Sequence, residues 1–175
     1  MSLTAAPRLE TDRLILRSPE PGDAESYIAF LMDHDRAAKF GSYDNRGDAW
    51  RWFALNVGHW HIHGYGYFSL ELKETGACCG ISGIWNPEGW PEPEIGWALF
   101  AGHEGKGLAM EAALRARRWA YDALGFTTLT SNIVPGNERS VTLAQRMGAT
   151  YERTYTNVYM GEDELWRHPG PEALA

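Results

Sequence analysis

Glu94-Ile95-Gly96-Trp97-Ala98-Leu99-Phe100 alternates in strand fashion, and Ala101-Gly102-His103-Glu104-Gly105-Lys106-Gly107-Leu108-Ala109 carries the chain from that strand into a helix. Apolar or small residues recur at positions 108, 112, 116, 120 and 124, which is one face of a helix over 107–124. Glu111, Arg115, Arg118 and Asp122 fall opposite and read as its wet side. Gly102, Gly105 and Gly107 thus lie between a strand end and a helix start. Unpaired N–H groups and the positive end of the helix dipole meet there, so the place suits an anion. Glycine lets the backbone come close to a phosphate. A plain strand-to-helix turn is the alternative, and it does not call for so many glycines. Two nucleotide fingerprints fail on residues. The mononucleotide loop needs Ser or Thr after its Lys, where Gly107 stands, and its first Gly is replaced by Phe100. The dinucleotide loop needs a third Gly where Met110 stands.

Outward from this segment, residues 9–17 read as a strand, 19–22 as a turn, and 23–32 and 48–62 as helices. Strands over 65–72 and 77–85 flank a hairpin turn at 73–76. A Pro- and Gly-rich loop over 86–93 leads into the strand at 94–100. Then come a β-branched strand over 127–134, a helix over 137–147 that Gly148 ends, and two strands over 149–155 and 158–166. The order β, α, α, β, β, β, α, β, α, β, β is neither strict βα alternation nor all-β. It predicts an α+β fold with a mixed, mainly antiparallel sheet of about seven strands and about four helices. The 175 residues form one domain, with its core over 9–167 and a tail over 168–175 that looks loose.

Hydrophobic residues make up 44% and charged residues 22%, which excludes a wholly disordered chain. Sixteen basic against 23 acidic residues leave a net charge of -7. That balance argues against nucleic acid or an anionic membrane as the main partner and tolerates a cationic substrate such as an amine. No apolar run is long enough to span a bilayer, and residues 1–8 lack the pattern of a secretion signal. Cys78 and Cys79 are adjacent and cannot form an ordinary disulfide, so a cytoplasmic location is expected. They read as packing inside a strand rather than as nucleophiles.

Four segments together resemble the GNAT superfamily of acetyl-CoA-dependent N-acetyltransferases, and within it the ribosomal-protein N-terminal acetyltransferase branch. Residues 9–17 resemble that branch's first strand, Glu94-Ile95-Gly96-Trp97 its fourth, and Glu104-Gly105-Lys106-Gly107-Leu108-Ala109, continuing to Glu111 and Ala112, its signature loop and helix start. Asn137-Glu138-Arg139-Ser140, followed by Met147-Gly148-Ala149, resembles its second cofactor segment. One departure is Glu104, where the family has Gln or Arg.

The resemblance implies acetyl-CoA as acetyl donor, an amine acceptor, a ternary complex and no metal. It places the pantetheine arm along Trp97, Ala98 and Leu99, and the pyrophosphate on the N–H groups of Gly105, Lys106, Gly107, Leu108 and Ala109. Asn137 would hold the arm and Ser140 would donate to the departing thiol. Capping of the helix start is the plain alternative for Asn137. Lys106 and Arg139 are possible neighbours of the phosphates. The attacking amine must be neutral, and Glu94 is the candidate base, directly or through water, against the alternative of a surface carboxylate at a strand end. Glu92 and Tyr155 are weaker choices.

His59 and His63 lie one helical turn apart, which is also a zinc-ligand spacing, with His61 between them. Trp50, Trp52, Trp60, Trp85, Trp90 and Trp97 fall in or beside segments that line the acceptor cleft in this family, and core packing is the usual role of Trp. The leading expectation is an amine N-acetyltransferase. The alternatives are a non-catalytic acyl-CoA-binding sensor of the same fold and a small zinc protein. The acceptors open to such an enzyme are a ribosomal-protein terminus, another peptide terminus, an amino acid and a xenobiotic amine.

Overall fold

The computed structural model describes residues 6–174, and the expectation for residues 1–8 lies mostly outside them. The elements are β1 (Leu9–Glu10), β2 (Leu14–Arg17), α1 (Ala24–Leu31), α2 (His34–Ala37), α3 (Arg46–His63), β3 (Tyr67–Leu72), β4 (Cys78–Trp85), β5 (Glu94–Leu99), α4 (Leu108–Leu124), β6 (Thr130–Ile133), α5 (Glu138–Arg146), β7 (Thr150–Asn157) and β8 (Gly161–Arg167). The expected α+β layout stands, with eight strands and five helices among the described residues in place of seven and four. The extra strand arises because the first segment turns back on itself. The Thr11 N–H bonds Leu14 O, and Leu9 pairs with Leu16. The extra helix, α2, is a single turn whose start is capped by the Asp33 carboxylate, which accepts from the Asp35 and Arg36 N–H groups.

The sheet order is β1-β2-β3-β4-β5-β6-β8-β7. Every pairing is antiparallel except β5 with β6. Helix α4 covers one face. Its Leu108, Ala112, Ala116 and Ala120, together with Ala113 and Trp119, pack on Leu16, Phe68, Ile84 and Ile95. Helices α1 and α3 cover the other, where Tyr27, Phe30 and Phe53 meet Tyr67, Ile81, Trp85 and Ala98. Strand side chains alternate between faces, so Ile95 goes to the α4 side and Ala98 to the α1/α3 side.

Two expectations fail. Glu111 is not on a wet face. Its carboxylate accepts from Thr11 Oγ1 at 2.6 Å, the Arg13 N–H at 2.9 Å and Arg13 Nε at 2.7 Å. Arg13 in turn donates to Lys106 O at 2.8 Å, so the β1–β2 turn braces the glycine loop. The tail is not loose. His168 is buried, the Tyr121 hydroxyl donates to Pro169 O at 2.8 Å, and Pro171–Leu174 forms a 3-10 turn. Turn residues suggested looseness, but one buried ring anchors the segment.

Candidate active site

Strands β5 and β6 share one register pair, Glu94 with Thr130, and diverge beyond it. A parallel pair that parts after one rung leaves backbone groups of β5 without strand partners. Which groups follows from alternation. The Phe100 N–H donates to Cys79 O and Gly96 O accepts from Ser82 Oγ, so even-numbered residues of β5 turn toward β4. Trp97 and Leu99 therefore turn their N–H and C=O into the gap, and Ala98 does not. Ala98 was expected to offer its backbone to a pantetheine arm, and those groups are instead committed to β4.

The gap opens into a cleft of about 1480 Å³. Its far end is the glycine loop. Gly107 has φ +78°, a left-handed conformation that glycine adopts without steric cost, and it directly precedes α4. The first helical bond runs from the Glu111 N–H to Gly107 O, so the N–H groups of Leu108, Ala109 and Met110 have no intrahelical acceptor. Gly105, Gly107 and Ala109 line the cleft; the Leu108 side chain is in the core. Lys106 is not on the cleft wall, because its Nζ donates to Gly102 O at 2.9 Å. Glu104 accepts from the Gly102 N–H at 3.1 Å and pairs with Arg36 of α2. Arg36 and Lys39, which the sequence reading missed, supply cations to the wall along with Arg139.

Asn137 and Ser140 also line the cleft. Asn137 caps α5, its Oδ1 accepting from the Ser140 N–H at 3.3 Å. The cap occupies the amide oxygen and leaves its NH2 as the group available to a ligand.

Glu94 sits at the closed end of the gap, and the surface-carboxylate alternative fails because it is 6% exposed. Oε1 accepts from Trp90 Nε1 at 3.0 Å and Oε2 from the Asn132 N–H at 2.9 Å. Burial raises its pKa to about 7; the two donors oppose the rise and the Asp163 charge adds to it. Asp163 on β8 is buried as well and raised to about 6, again chiefly by burial. The weaker choices recede. Glu92 is held by both Arg167 terminal nitrogens, at 2.6 and 2.7 Å, and burial keeps the Tyr155 phenol neutral.

The apex of the gap is tied to the tail. Arg117 Nη1 lies 3.2 Å from His168 Nδ1 and can only donate, so Nδ1 accepts and Nε2 carries the proton. Nε2 faces Ser131 Oγ at 2.9 Å, and Ser131 Oγ donates to Ile95 O at 2.6 Å. Burial pushes His168 down to about 3, which keeps the ring neutral.

Of the tryptophans, Trp52, Trp85, Trp90 and Trp97 line the cleft. Trp50 is exposed and Trp60 is in the α4-side core. The zinc reading loses one of its ligands. His59 is buried with Nδ1 on Tyr65 O at 2.7 Å and Nε2 accepting from the Asn86 N–H at 3.1 Å, so neither nitrogen is free. The Cys78 and Cys79 thiols are pushed up to about 12 and about 11 by burial, which suits packing and not attack. No helix among the described residues is long and apolar enough to cross a membrane.

Residues 13–150 match the family model of the acetyltransferase (GNAT) domain. Among solved structures, an acetyltransferase from Agrobacterium tumefaciens is 36% identical, covers 93% of this chain and 94% of its own, and superposes with a TM-score of 0.84. A ribosomal-protein-S5-alanine acetyltransferase from Vibrio fischeri is 17% identical over 95% of this chain and 98% of its own, TM-score 0.70. A spermidine N-acetyltransferase from Vibrio cholerae, solved with CoA and spermine, is 17% identical over 94% of this chain and all of its own, TM-score 0.76.

Proposed function

The chain belongs to the GNAT acetyltransferases, a family of acyltransferases, and from that premise we propose that it moves the acetyl group of acetyl-CoA to a primary amine by direct attack in a ternary complex. The observation that carries the reading is the gap between β5 and β6, with Glu94 buried at its closed end and a free helix N-terminus at its open end.

In this reading the pyrophosphate rests on the N–H groups at the start of α4, with Arg36, Lys39 and Arg139 nearby for its charge. The Asn137 NH2 and the backbone groups of Trp97 and Leu99 hold the pantetheine arm as a neighbouring strand would. An N–H of β5 in the gap faces the thioester oxygen and stabilises the charge that develops on it. Glu94, raised to about 7, accepts one proton from the incoming ammonium group. The neutral nitrogen attacks the thioester carbon, the C–S bond breaks, and the second amine proton goes to the departing sulfur through the Ser140 hydroxyl. The products are the amide and CoA, and Glu94 returns its proton to water. Two adjacent free thiols fit a reducing cytoplasm.

The test is thiol release from acetyl-CoA against a panel of primary amines. Release that needs both substrates, with intersecting initial-rate lines, supports the reading. Tight acetyl-CoA binding with no release for any amine replaces it with the sensor.

A further inference from the structure

We propose that Asp163 anchors the acceptor's ammonium group through Oδ1, and that the acceptor is a primary monoamine with an aromatic or apolar body. The inference rests on the cleft being the acceptor site of an acetyltransferase.

The placement follows from register. Glu94 pairs with Thr130, and Asn132 pairs with Leu165. Side chains two apart share a sheet face, so Glu94, Asn132 and Asp163 lie side by side on the α1/α3 face of the sheet. All three line the cleft. Asp163 is 2% exposed, and its Oδ2 accepts from Asn157 Nδ2 at 2.9 Å. Its Oδ1 is buried and has no hydrogen-bond partner among the described residues. The same holds for both amide atoms of Asn132. A buried carboxylate oxygen without a donor is costly, and such groups in folded proteins take a donor from outside the chain or serve a reaction. An ammonium group brings three donors, enough for Asp163 Oδ1, Asn132 Oδ1 and Glu94.

The rest of the wall describes the body. Phe40 and Trp52 have ring centroids 5.3 Å apart, Trp52 and Trp85 5.6 Å, and Tyr67 and Trp85 5.0 Å. Trp90 and Tyr159 close the other side at 5.7 Å. Gly96 makes the floor possible, since a Cβ there would run into the Tyr67 hydroxyl. Aromatic walls reward an apolar or aromatic group and offer no anion to a second ammonium. Among the described residues of the cleft, Glu94 and Asp163 are its buried carboxylates. Asp33 and Glu104 pair with Arg36, and Asp35, Glu88 and Glu138 are exposed at the rim. With Glu94 accepting the proton, one anchor remains, which fits one ammonium and not a polyamine. Burial raises Asp163 only to about 6, against the bond from Asn157 that favours the charge, so it is ionised at neutral pH.

The test uses the whole chain with saturating acetyl-CoA. Phenethylamine is expected to exceed spermidine and alanine amide in kcat/KM by about 10-fold or more, and Asp163→Asn is expected to raise the phenethylamine KM about 10- to 100-fold, the worth of a hydrogen bond to a charge. The acetyl-CoA KM stays unchanged, which a merely structural loss would not allow. Calorimetry adds a readout that needs no turnover. N,N-dimethylphenethylamine binds the wild type more tightly than neutral 2-phenylethanol, and Asp163→Asn abolishes that preference. A preference that survives in Asp163→Asn overturns the anchor, as does a wild type that prefers spermidine or alanine amide. If Asp163→Asn does not fold, the wild-type cation preference and amine selectivity decide alone. Cation binding lost in Asp163→Asn with no acetyl transfer from any amine would sink the enzymatic reading and keep the anchor. Acetyl transfer undiminished in Asp163→Asn would do the reverse.

Discussion

Glu94→Gln separates a carboxylate kept for chemistry from one kept for packing, because the two roles move stability in opposite directions. The folded chain raises Glu94 from the ordinary 4.5 to about 7, chiefly by burial. Between those values the folded chain holds a proton that the unfolded chain has released, so stability falls as pH rises through the window. At 1.36 kcal/mol per pH unit the full loss is about 3 kcal/mol, most of which falls between pH 5 and pH 8. Glutamine cannot ionise and escapes the loss. It does misplace one donor, because Trp90 Nε1–H and the Asn132 N–H both point at the carboxylate. That cost is independent of pH. Urea unfolding at pH 5 and pH 8 is therefore expected to show the variant gaining about 2–3 kcal/mol on the wild type over this range, whatever the offset. His168 titrates in both proteins and drops out of the comparison, whereas the repulsion between Glu94 and Asp163, already part of the Glu94 shift, is lost in the variant. Turnover is expected to fall about 10²- to 10⁴-fold near neutral pH, and the deficit to shrink as pH approaches the acceptor's own pKa. The wild-type rate is expected to rise through about pH 7 as Glu94 ionises. A stability difference that stays flat from pH 5 to pH 8 would refute the burial argument. Unchanged turnover, with a pH profile parallel to wild type, would remove Glu94 from the reaction.

Gly107→Val forces a β-branched residue into φ +78°, so it is expected to cost at least about 1–2 kcal/mol and to weaken CoA binding strongly by calorimetry; unchanged affinity in a folded variant would rule out the phosphate loop. Asn137→Ala loses the α5 cap, expected to cost about 1 kcal/mol, and raises the acetyl-CoA KM; a stability loss without a kinetic one leaves only the cap. His168→Ala opens a cavity and takes one hydrogen bond each from Arg117, which keeps Met147 O, and Ser131, which keeps Ile95 O; it is expected to cost about 2–4 kcal/mol. It also removes a loss of stability on acidification below about pH 6.5, where the unfolded chain takes up a proton that the buried ring refuses; an unchanged acid limb would contradict the assigned neutral tautomer.

The fold was legible where one period dominates. The four-residue spacing of Leu108, Ala112, Ala116 and Ala120 marked α4, and those four residues are buried against the sheet. Glycines at a strand-to-helix junction marked the loop because few other structures require them there. Asn137 was legible as a cap for the same reason: its chemistry serves the helix start locally. The missed elements lack a period of their own. Helix α2 is one turn, and the break between β1 and β2 is held by Glu111, far away in sequence. No local pattern announces a turn whose partner lies on another element.

The site was half legible, and the division follows solvation. Pattern reading assigns charged residues to water, since exposure is their usual state. Here Glu94, Arg117, Asp163 and His168 are all buried. Glu94 was found because it opens a strand that other signals had already singled out. Arg117 sits beside Ala116 at the margin of the apolar stripe, Asp163 lies in an acidic stretch with Glu162 and Glu164, and His168 opens a tail rich in turn residues. Each reads as surface in its own neighbourhood. Their burial becomes visible only when β6 is threaded between β5 and β8, because that one strand brings Ser131 against Ile95 O and His168, and Asn132 against Glu94. The short β6 is thus where three distant stretches of sequence meet. A chain that spends burial energy on four ionisable groups around one four-residue strand must hold them by hydrogen bonds, and does so for Arg117, His168 and Glu94. Of the four, Asp163, which lines the cleft, is left with one bare oxygen beside the bond from Asn157, and in the proposed reading the acceptor's ammonium group supplies the missing donor.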